Sequence, residues 1–370
     1  MEPRRTPTDR PSDHSSDRPH VEAGPARRRV PITVLAPDQH GHALLHRLAA
    51  DDDNFVIASK ETLASTGLLG LIRVGRAAVT GPDVTSRTPG CECCQLRVDL
   101  IAAVRSAVLR SSAPARLIVV VDRATSACDS SSDDPAGDVV TCIHTLQADS
   151  DVERLARLDG LVVEIDARSA STRLTCGLRR WSGQEEAALA IADRIVVSGA
   201  ELLTTPARWA LRNELRAINV IGQISLVCQV NASVGDIVDL GAWDQGPPAH
   251  VEASRRTPSD ADGARSAIET VVLARPGVLD PDATDAWFDQ LVAEAPSRLL
   301  RLQAVLRVST HEPRVCVRGS RSVMRSQLEC GAAAVPSEVS RHDGSVVVLI
   351  GRELDERTLR EEFWSIEEAR

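Results

Sequence analysis

The residues best equipped for chemistry are three cysteines within four positions, in Gly90-Cys91-Glu92-Cys93-Cys94. A cysteine thiolate is a soft, strong ligand for zinc or copper(I). Packing rarely calls for three thiols side by side, so metal binding is the first reading and small buried thiols the second. Adjacent cysteines do not easily ligate one ion with relaxed geometry. Cys91 and Cys93 are therefore the better pair, with Cys94 either a third ligand or turned inward. Glu92 is a further oxygen donor or a solvated loop carboxylate. Upstream, His40, His42 and His46 form a second group. His42 and His46 are spaced to share one helix face, and a fold that carries them to the cysteines would make a mixed His/Cys site; otherwise they face solvent. Cys128 and Cys142, read at strand ends, are within possible reach. Cys176, Cys228, Cys316 and Cys330 read as ordinary thiols.

Composition bounds what these groups can serve. The chain has 370 residues, 43% of them hydrophobic, enough for two cores. Its net charge of -9 argues against nucleic-acid binding through a globally basic surface and leaves only a local patch open. Lys60 is the only lysine, so any mechanism that needs a lysine must use it. No apolar stretch approaches the roughly 20 residues that cross a bilayer, and the polar, proline-rich start has no apolar signal core. The expectation is a cytoplasmic protein without a membrane partner, its cysteines reduced.

The elements that must position these groups follow from hydrophobic period and turn chemistry. Residues 1–29 read as a disordered Arg/Asp/Ser/Pro tail. Buried strands are predicted over 30–36, 54–58, 117–122, 139–146, 158–167, 194–197 and 220–227. Helices are predicted over 42–50, 96–110, 184–192 and 206–217, and the cysteine motif falls in a loop at 88–95. Short apolar strands alternating with helices give an α/β domain over 30–240, a doubly wound, mostly parallel sheet. A Pro/Gly linker covers 241–265. A smaller α+β domain over 266–370 has strands near 270–273, 302–308, 314–318 and 345–350, with helices over 281–295 and 355–368. Trp287, Phe288 and Trp364 at helical spacing are assigned to its core.

Taken in order, several segments resemble the CobW-type P-loop GTPases, a family linked to metal delivery and cofactor insertion. Pro31-Ile32-Thr33-Val34-Leu35 is similar to the family's first strand. Gly90-Cys91-Glu92-Cys93-Cys94 with Arg97 and Asp99-Leu100 resembles its Gly-Cys-x-Cys-Cys motif. Asp159-Gly160 through Glu164-Ile165-Asp166-Ala167 resembles its Asp-Gly strand, Gln184–Asp193 the segment ending in Ala-Asp, and Leu349–Asp355 with Phe363 the end of its C-terminal domain. The resemblance implies a P-loop NTPase-like fold for the first domain.

The departures bear on activity. A P-loop wraps phosphates with glycine N–H groups, a lysine and a magnesium-holding hydroxyl. The matching stretch here is Ala36-Pro37-Asp38-Gln39-His40-Gly41-His42-Ala43-Leu44. It keeps Gly41, carries Pro37, which lacks an N–H, adds the negative Asp38, and has no lysine and no hydroxyl. Near Asp122 the family's glycine is missing; Asp122 holds a metal or caps a strand end. At Ser198-Gly199-Ala200-Glu201 the guanine-reading Asn-Lys-x-Asp is reduced to a partial match at Glu201. Asp166 sits at the sheet's carboxyl edge, where it caps a helix or joins a site. Gly41, Asp122, Asp166 and Glu201 are the remaining nucleotide candidates.

Losing cradle, lysine and base recognition together argues against GTP hydrolysis, because those groups supply nearly all of the catalysis in phosphoryl transfer. The leading expectation is zinc or transition-metal homeostasis, with Cys91, Cys93 and Cys94 as ligands and a client metalloprotein as partner; GTP and magnesium are not expected. One alternative is a non-catalytic adaptor that acts on ribosomes or a ribosome-associated protein under zinc limitation, touching RNA only through the ribosome. A second is a GTP-binding protein with a rebuilt loop.

Overall fold

In the computed structural model, residues 29–38, 43–51, 54–57, 92–109, 114–121, 137–175, 181, 183–227, 234, 237–243, 268–294, 298–309, 314–321, 323–328 and 344–367 are described. Gly41, Cys91, Asp122, His40, His42, Lys60, the tail before residue 29, and Cys128, Cys176, Cys228 and Cys330 lie outside them.

The first sheet is wholly parallel and built from β1 (Val30–Ala36), β2 (Asn54–Ile57), β3 (Arg116–Val120), β4 (Ala156–Asp166), β5 (Arg194–Ser198) and β6 (Gln223–Val227), in the order β2-β3-β1-β4-β5-β6. The chain leaves β1 toward one edge and later returns past it toward the other. The switch point therefore lies between β1 and β4, where open α/β sheets form their binding crevice. The helices are α1 (Ala43–Ala50), α2 (Glu92–Val108), α3 (Gly137–Ala148), α4 (Ser150–Leu155), α5 (Ala167–Thr175), α6 (Gly183–Ile191) and α7 (Thr205–Ile218).

Period-two alternation sorts the strand residues between two faces. Ile32, Val34, Leu117, Val119, Leu161, Val163, Ile195 and Val197 face a core shared with α2, α3, α6 and α7. Leu35, Ile118, Val120, Val162 and Val196 face the other way, onto Leu44, Leu45 and Leu48 of α1 and onto Ile237 and Val238. By the same alternation Glu164, Asp166 and Ser198 lie on the α1 face.

The second sheet is antiparallel: β7 (Glu269–Pro276), β8 (Leu299–Leu306), β9 (Val315–Ser320), β10 (Val323–Leu328) and β11 (Gly344–Gly351), ordered β10-β9-β8-β11-β7. One face packs on α8 (Pro281–Glu294) and α9 (Glu356–Ser365) through Leu302, Leu306, Val347, Leu349, Trp287, Phe288 and Phe363. The opposite face contributes Leu300, Val346, Val348 and Ile350 to the core of the first sheet. The two sheets thus share one continuous apolar core, with α3 and α6 between them.

The fold class expected from sequence stands: a doubly wound parallel sheet followed by a smaller α+β domain with an antiparallel sheet. Several local readings do not. Residues 139–146 are helix α3, not a strand. Val139, Val140, Ile143 and Leu146 are all buried at helical spacing, and both edges of β1 are already taken by β3 and β4. The cysteine motif is not all loop: α2 begins at Glu92, so Cys93 and Cys94 sit in a helical first turn. Strand β6 begins at Gln223, because Asn219 first turns the chain. Helices α4 and α5 and strand β10 were not anticipated. Trp364 is half exposed, and Phe363 is the buried aromatic of α9. Cys142 lies buried on α3 rather than at a strand end. Cys316 is buried on β9 and disulfide-bonded, not an ordinary reduced thiol.

Candidate functional site

The switch-point crevice is built by the ends of β1, β4 and β5 and the start of α1. Strand β4 runs past the end of β1: Ala36 pairs with Val163, and Glu164, Ile165 and Asp166 continue beside β5 only. This overhang carries Glu164 to the first turn of α1. One oxygen of its carboxylate accepts the Leu44 backbone N–H at 3.3 Å and the Ser198 hydroxyl at 2.6 Å. Glu164 is fully buried. Beside it, Asp38 is nearly buried and its carboxylate accepts the Asp166 backbone N–H at 3.1 Å. Asp166 turns its own carboxylate to the Ser169 N–H at 2.8 Å, capping α5; its capping role is realised.

The first-turn N–H groups of a helix lack intrahelical acceptors and carry the positive end of the helix dipole, so such a terminus attracts anions. Here the acceptor at the Leu44 N–H is the chain's own Glu164 carboxyl. The Ser198 hydroxyl, at the end of β5 where the resemblance places base recognition, binds the same oxygen. One carboxylate therefore links three elements that would otherwise surround a nucleotide. A phosphate entering this crevice meets two fixed carboxylates.

Glu201 is exposed on a 3-10 turn that follows Gly199, whose φ of 75° suits glycine. Gly41 and Asp122 lie outside the described residues. Cys93 and Cys94 lie in the first turn of α2, and their side chains, with all of Cys91, are outside the described set. His46 is half buried on α1. Among the described residues no group of three or more His, Cys, Asp or Glu is arranged to hold a metal. A CxCC donor set at a helix N-terminus still has the chemistry for a thiophilic ion, since the positive helix end favours the thiolate form that binds metal.

The sequence motifs around Asp159 and Asp193 have a different role from the crevice. Asp159 is fully buried and accepts the Thr33 hydroxyl at 3.3 Å and the Leu240 and Gly241 N–H groups at 2.8 and 2.9 Å. A Cβ on Gly160 would stand 2.9 Å from Leu240 Cδ1, so the Asp-Gly pair clamps the segment that leaves the first domain. Asp193 accepts the Leu161 N–H at 2.7 Å, the Trp243 indole N–H at 3.1 Å and the Arg301 guanidinium. Arg301 also donates to the Ile191 carbonyl and lies 4.7 Å from the Trp243 ring centre. This buried Asp193–Trp243–Arg301 cluster joins the two sheets. Sequence reading missed it: Trp243 falls at the start of a stretch that reads as linker, and nothing in the local pattern around Arg301 pairs it with a residue 108 positions away.

The fold defines a P-loop-type α/β domain fused to a small antiparallel domain. Residues 268–367 match the family model of the cobalamin synthesis protein cobW C-terminal domain. The chain is similar in fold to the Zn(II)-bound YjiA GTPase from E. coli, at 15% identity and a TM-score of 0.64, over 92% of this chain and all of that one. A Zn(II)-bound form of YjiA with one glutamate and two consecutive cysteines changed to alanine matches equally well, at 16% identity and the same TM-score and coverage. The resemblance to the CobW-type family is thereby borne out. No helix among the described residues is long and apolar enough to cross a membrane.

Proposed function

We propose that this chain handles zinc or a similar soft metal through Cys91, Cys93 and Cys94 and does so without hydrolysing GTP. The observation that carries the second half is Glu164. A buried carboxylate that already occupies a first-turn N–H of α1 and the Ser198 hydroxyl takes the place of a phosphate. With Asp38 beside it, the crevice repels what a GTPase must bind. The metal half is supported by the donor set at the start of α2 and by the zinc found in the structural relative. Two measurements on one sample test both halves. Equilibrium dialysis of the reduced protein against zinc should give stoichiometric binding that is lost in a Cys91→Ser/Cys93→Ser/Cys94→Ser variant. Titration with fluorescent GTP and GDP analogues should give no saturable binding. Zinc binding unchanged in the triple variant overturns the metal half, and micromolar nucleotide affinity overturns the other.

A second reading, an adaptor that acts on ribosomes, is favoured by the buried Asp193–Trp243–Arg301 cluster. Two sheets welded through one core form a rigid platform rather than a nucleotide-driven switch. Co-sedimentation with ribosomes tests it, and a protein that stays in the supernatant at low salt refutes it.

A further inference from the structure

Helix α7 presents an outer face whose chemistry neither the metal nor the adaptor reading uses. Its buried side is Leu211 and Leu215. On the opposite side Trp209 is 70% exposed, an unusual place for the largest side chain on a helix that has apolar contacts to offer it. At 3.6 residues per turn, Trp209, Arg212 and Arg216 form one stripe, three and seven positions apart. Arg208 and Arg212, and Arg212 and Arg216, are also successive i,i+4 like-charge pairs, which cost helix stability. Arg208 and Arg216 donate to the Leu203 and Gly222 carbonyls, at 2.9 and 2.6 Å, which orients them without neutralising them. Among the described residues none of the three arginines is paired with a carboxylate. Burial, and then the nearby Arg212 charge, lower the pKa of Arg216, as expected of a partly buried cation beside a like charge. In a chain of net charge -9 this is a local cationic stripe built around an aromatic plane.

We propose that this face of α7 binds single-stranded RNA, with Trp209 as a stacking platform and Arg208, Arg212 and Arg216 on the phosphates. The occupant follows from what the face lacks as well as from what it holds. A protein partner needs contiguous apolar area in the centre of its footprint, and here the exposed helix neighbours of Trp209 are Thr205, Pro206, Ala210, Arg212 and Asn213, of which only the small Pro206 and Ala210 are apolar. A lone indole among arginines suits an unstacked base, whose flat face it covers whatever its sequence, while guanidinium groups take the backbone. Thr205 and Asn213, one turn to either side of Trp209, both donate and accept hydrogen bonds, as a ribose 2′-hydroxyl requires. The stripe spans about 10 Å from Trp209 to Arg216 at 1.5 Å per residue, room for a few nucleotides.

The test uses the full chain, fluorescein-labelled oligo(rU), oligo(dT) of the same length, and an oligo-glutamate peptide, read by anisotropy at about 50 mM salt. Oligo(rU) is expected to bind, with log K falling by about 2 per decade of salt if three phosphates are contacted. Trp209→Ala and Arg212→Ala/Arg216→Ala should each weaken binding about tenfold or more, and Trp209→Phe should restore most of the loss from Trp209→Ala. These positions are exposed or at the surface, and an unchanged melting temperature in each variant shows that the fold survives. Absence of oligo(rU) binding, or binding that both variants retain, overturns the proposal. So does equal affinity for oligo(dT), which removes the ribose contact, or preference for oligo-glutamate, which reassigns the face to an acidic protein.

Discussion

Replacing Arg301 by methionine removes the cation from the interface between the two sheets while keeping most of the apolar stem. Arg301 and Asp193 have side chains only 2% and 5% exposed. Without the guanidinium, the Asp193 carboxylate keeps two donors, the Leu161 N–H and the Trp243 indole, and loses its counter-charge. Breaking one side of a buried ion pair costs about 3–5 kcal/mol, and the lost bond to the Ile191 carbonyl and contact with the Trp243 ring belong to the same change. The expected loss is about 4 kcal/mol, a large share of the 5–15 kcal/mol typical of a folded protein and about 5 °C in melting temperature for a chain of this length. Urea unfolding followed by both tryptophan fluorescence and far-UV circular dichroism measures it. The wild-type transitions should coincide, because the apolar core runs from the first sheet into Leu300, Val346, Val348 and Ile350. In Arg301→Met they should separate as the second sheet comes loose first. Asp193→Asn supplies the double-mutant cycle: it keeps the acceptor oxygen and removes the charge, so in the double variant the second change should cost little. A coupling energy of about 2–3 kcal/mol is expected. Additivity within about 0.5 kcal/mol would refute the reasoning, because the two residues would then be stabilising the molecule independently.

Asn219→Ala should destabilise by about 3–5 kcal/mol by chemical denaturation, since its amide fills all four of its hydrogen-bonding positions, to the Leu189 and Ala192 carbonyls at 2.6 and 2.8 Å and from the Ile221 and Gly222 N–H groups at 2.9 and 2.6 Å. Gly222→Ala should be comparably damaging or prevent expression, because its Cβ would stand 2.3 Å from the Ala192 carbonyl oxygen, a backbone atom that cannot swing aside. Asp355 caps α9, and bonds from the Thr358 hydroxyl and from the Thr358 and Arg357 N–H groups hold its carboxyl below the usual value of 3.8. A depressed carboxyl pKa stabilises fully above the unfolded value and is lost as pH falls through the folded one, so an NMR titration should place the Asp355 midpoint below 3.8, and Asp355→Asn should flatten the acid limb of the stability curve. Glu164→Gln should remain unable to hydrolyse GTP, since it restores neither lysine nor glycine to the loop, and measurable turnover in a phosphate-release assay would contradict the account of the crevice.

Strand positions were legible because burial on both faces of a parallel sheet leaves continuous apolar runs such as Leu117–Val120 and Leu161–Val163. The same signal misled at Val139–Leu146, where β-branched residues lie on a helix buried between two sheets; a short β-branched, mostly apolar segment does not reveal whether its partners lie beside it or above it. The cysteine motif was visible as chemistry but misplaced as geometry. Nothing in Gly90–Cys94 announces that α2 starts at Glu92. The carboxylates of the crevice were half visible. Asp38 stood out as a negative charge where a phosphate belongs, whereas Glu164 read as one more residue of a family strand. Its role depends on β4 overrunning β1 to reach the start of α1, a register known only in three dimensions. Asp193 and Arg301 show the same limit: each is unremarkable locally, and the pair exists only because α6 lies under β8.

These two discoveries bear on each other. A P-loop switch works by letting the γ-phosphate pull loops toward itself, and the motion is transmitted to whatever the loops touch. On the proposed reading the Glu164 carboxyl stands in the phosphate position, and the two sheets are joined by a buried ion pair whose rupture costs about 3–5 kcal/mol. Both changes remove the same capability, one at the input and one at the output. A site that has lost its trigger gains nothing from a mobile partner domain, so the weld and the plug are best understood together. On the proposed reading, metal exchange at the start of α2 is driven by relative affinity and by contact with the recipient, and the exchange rate should be indifferent to added GTP. Following zinc transfer from the loaded protein to a chromophoric chelator with and without GTP reads this directly. Acceleration by the nucleotide would show that the crevice still opens and that its carboxylates do not stand in for phosphate.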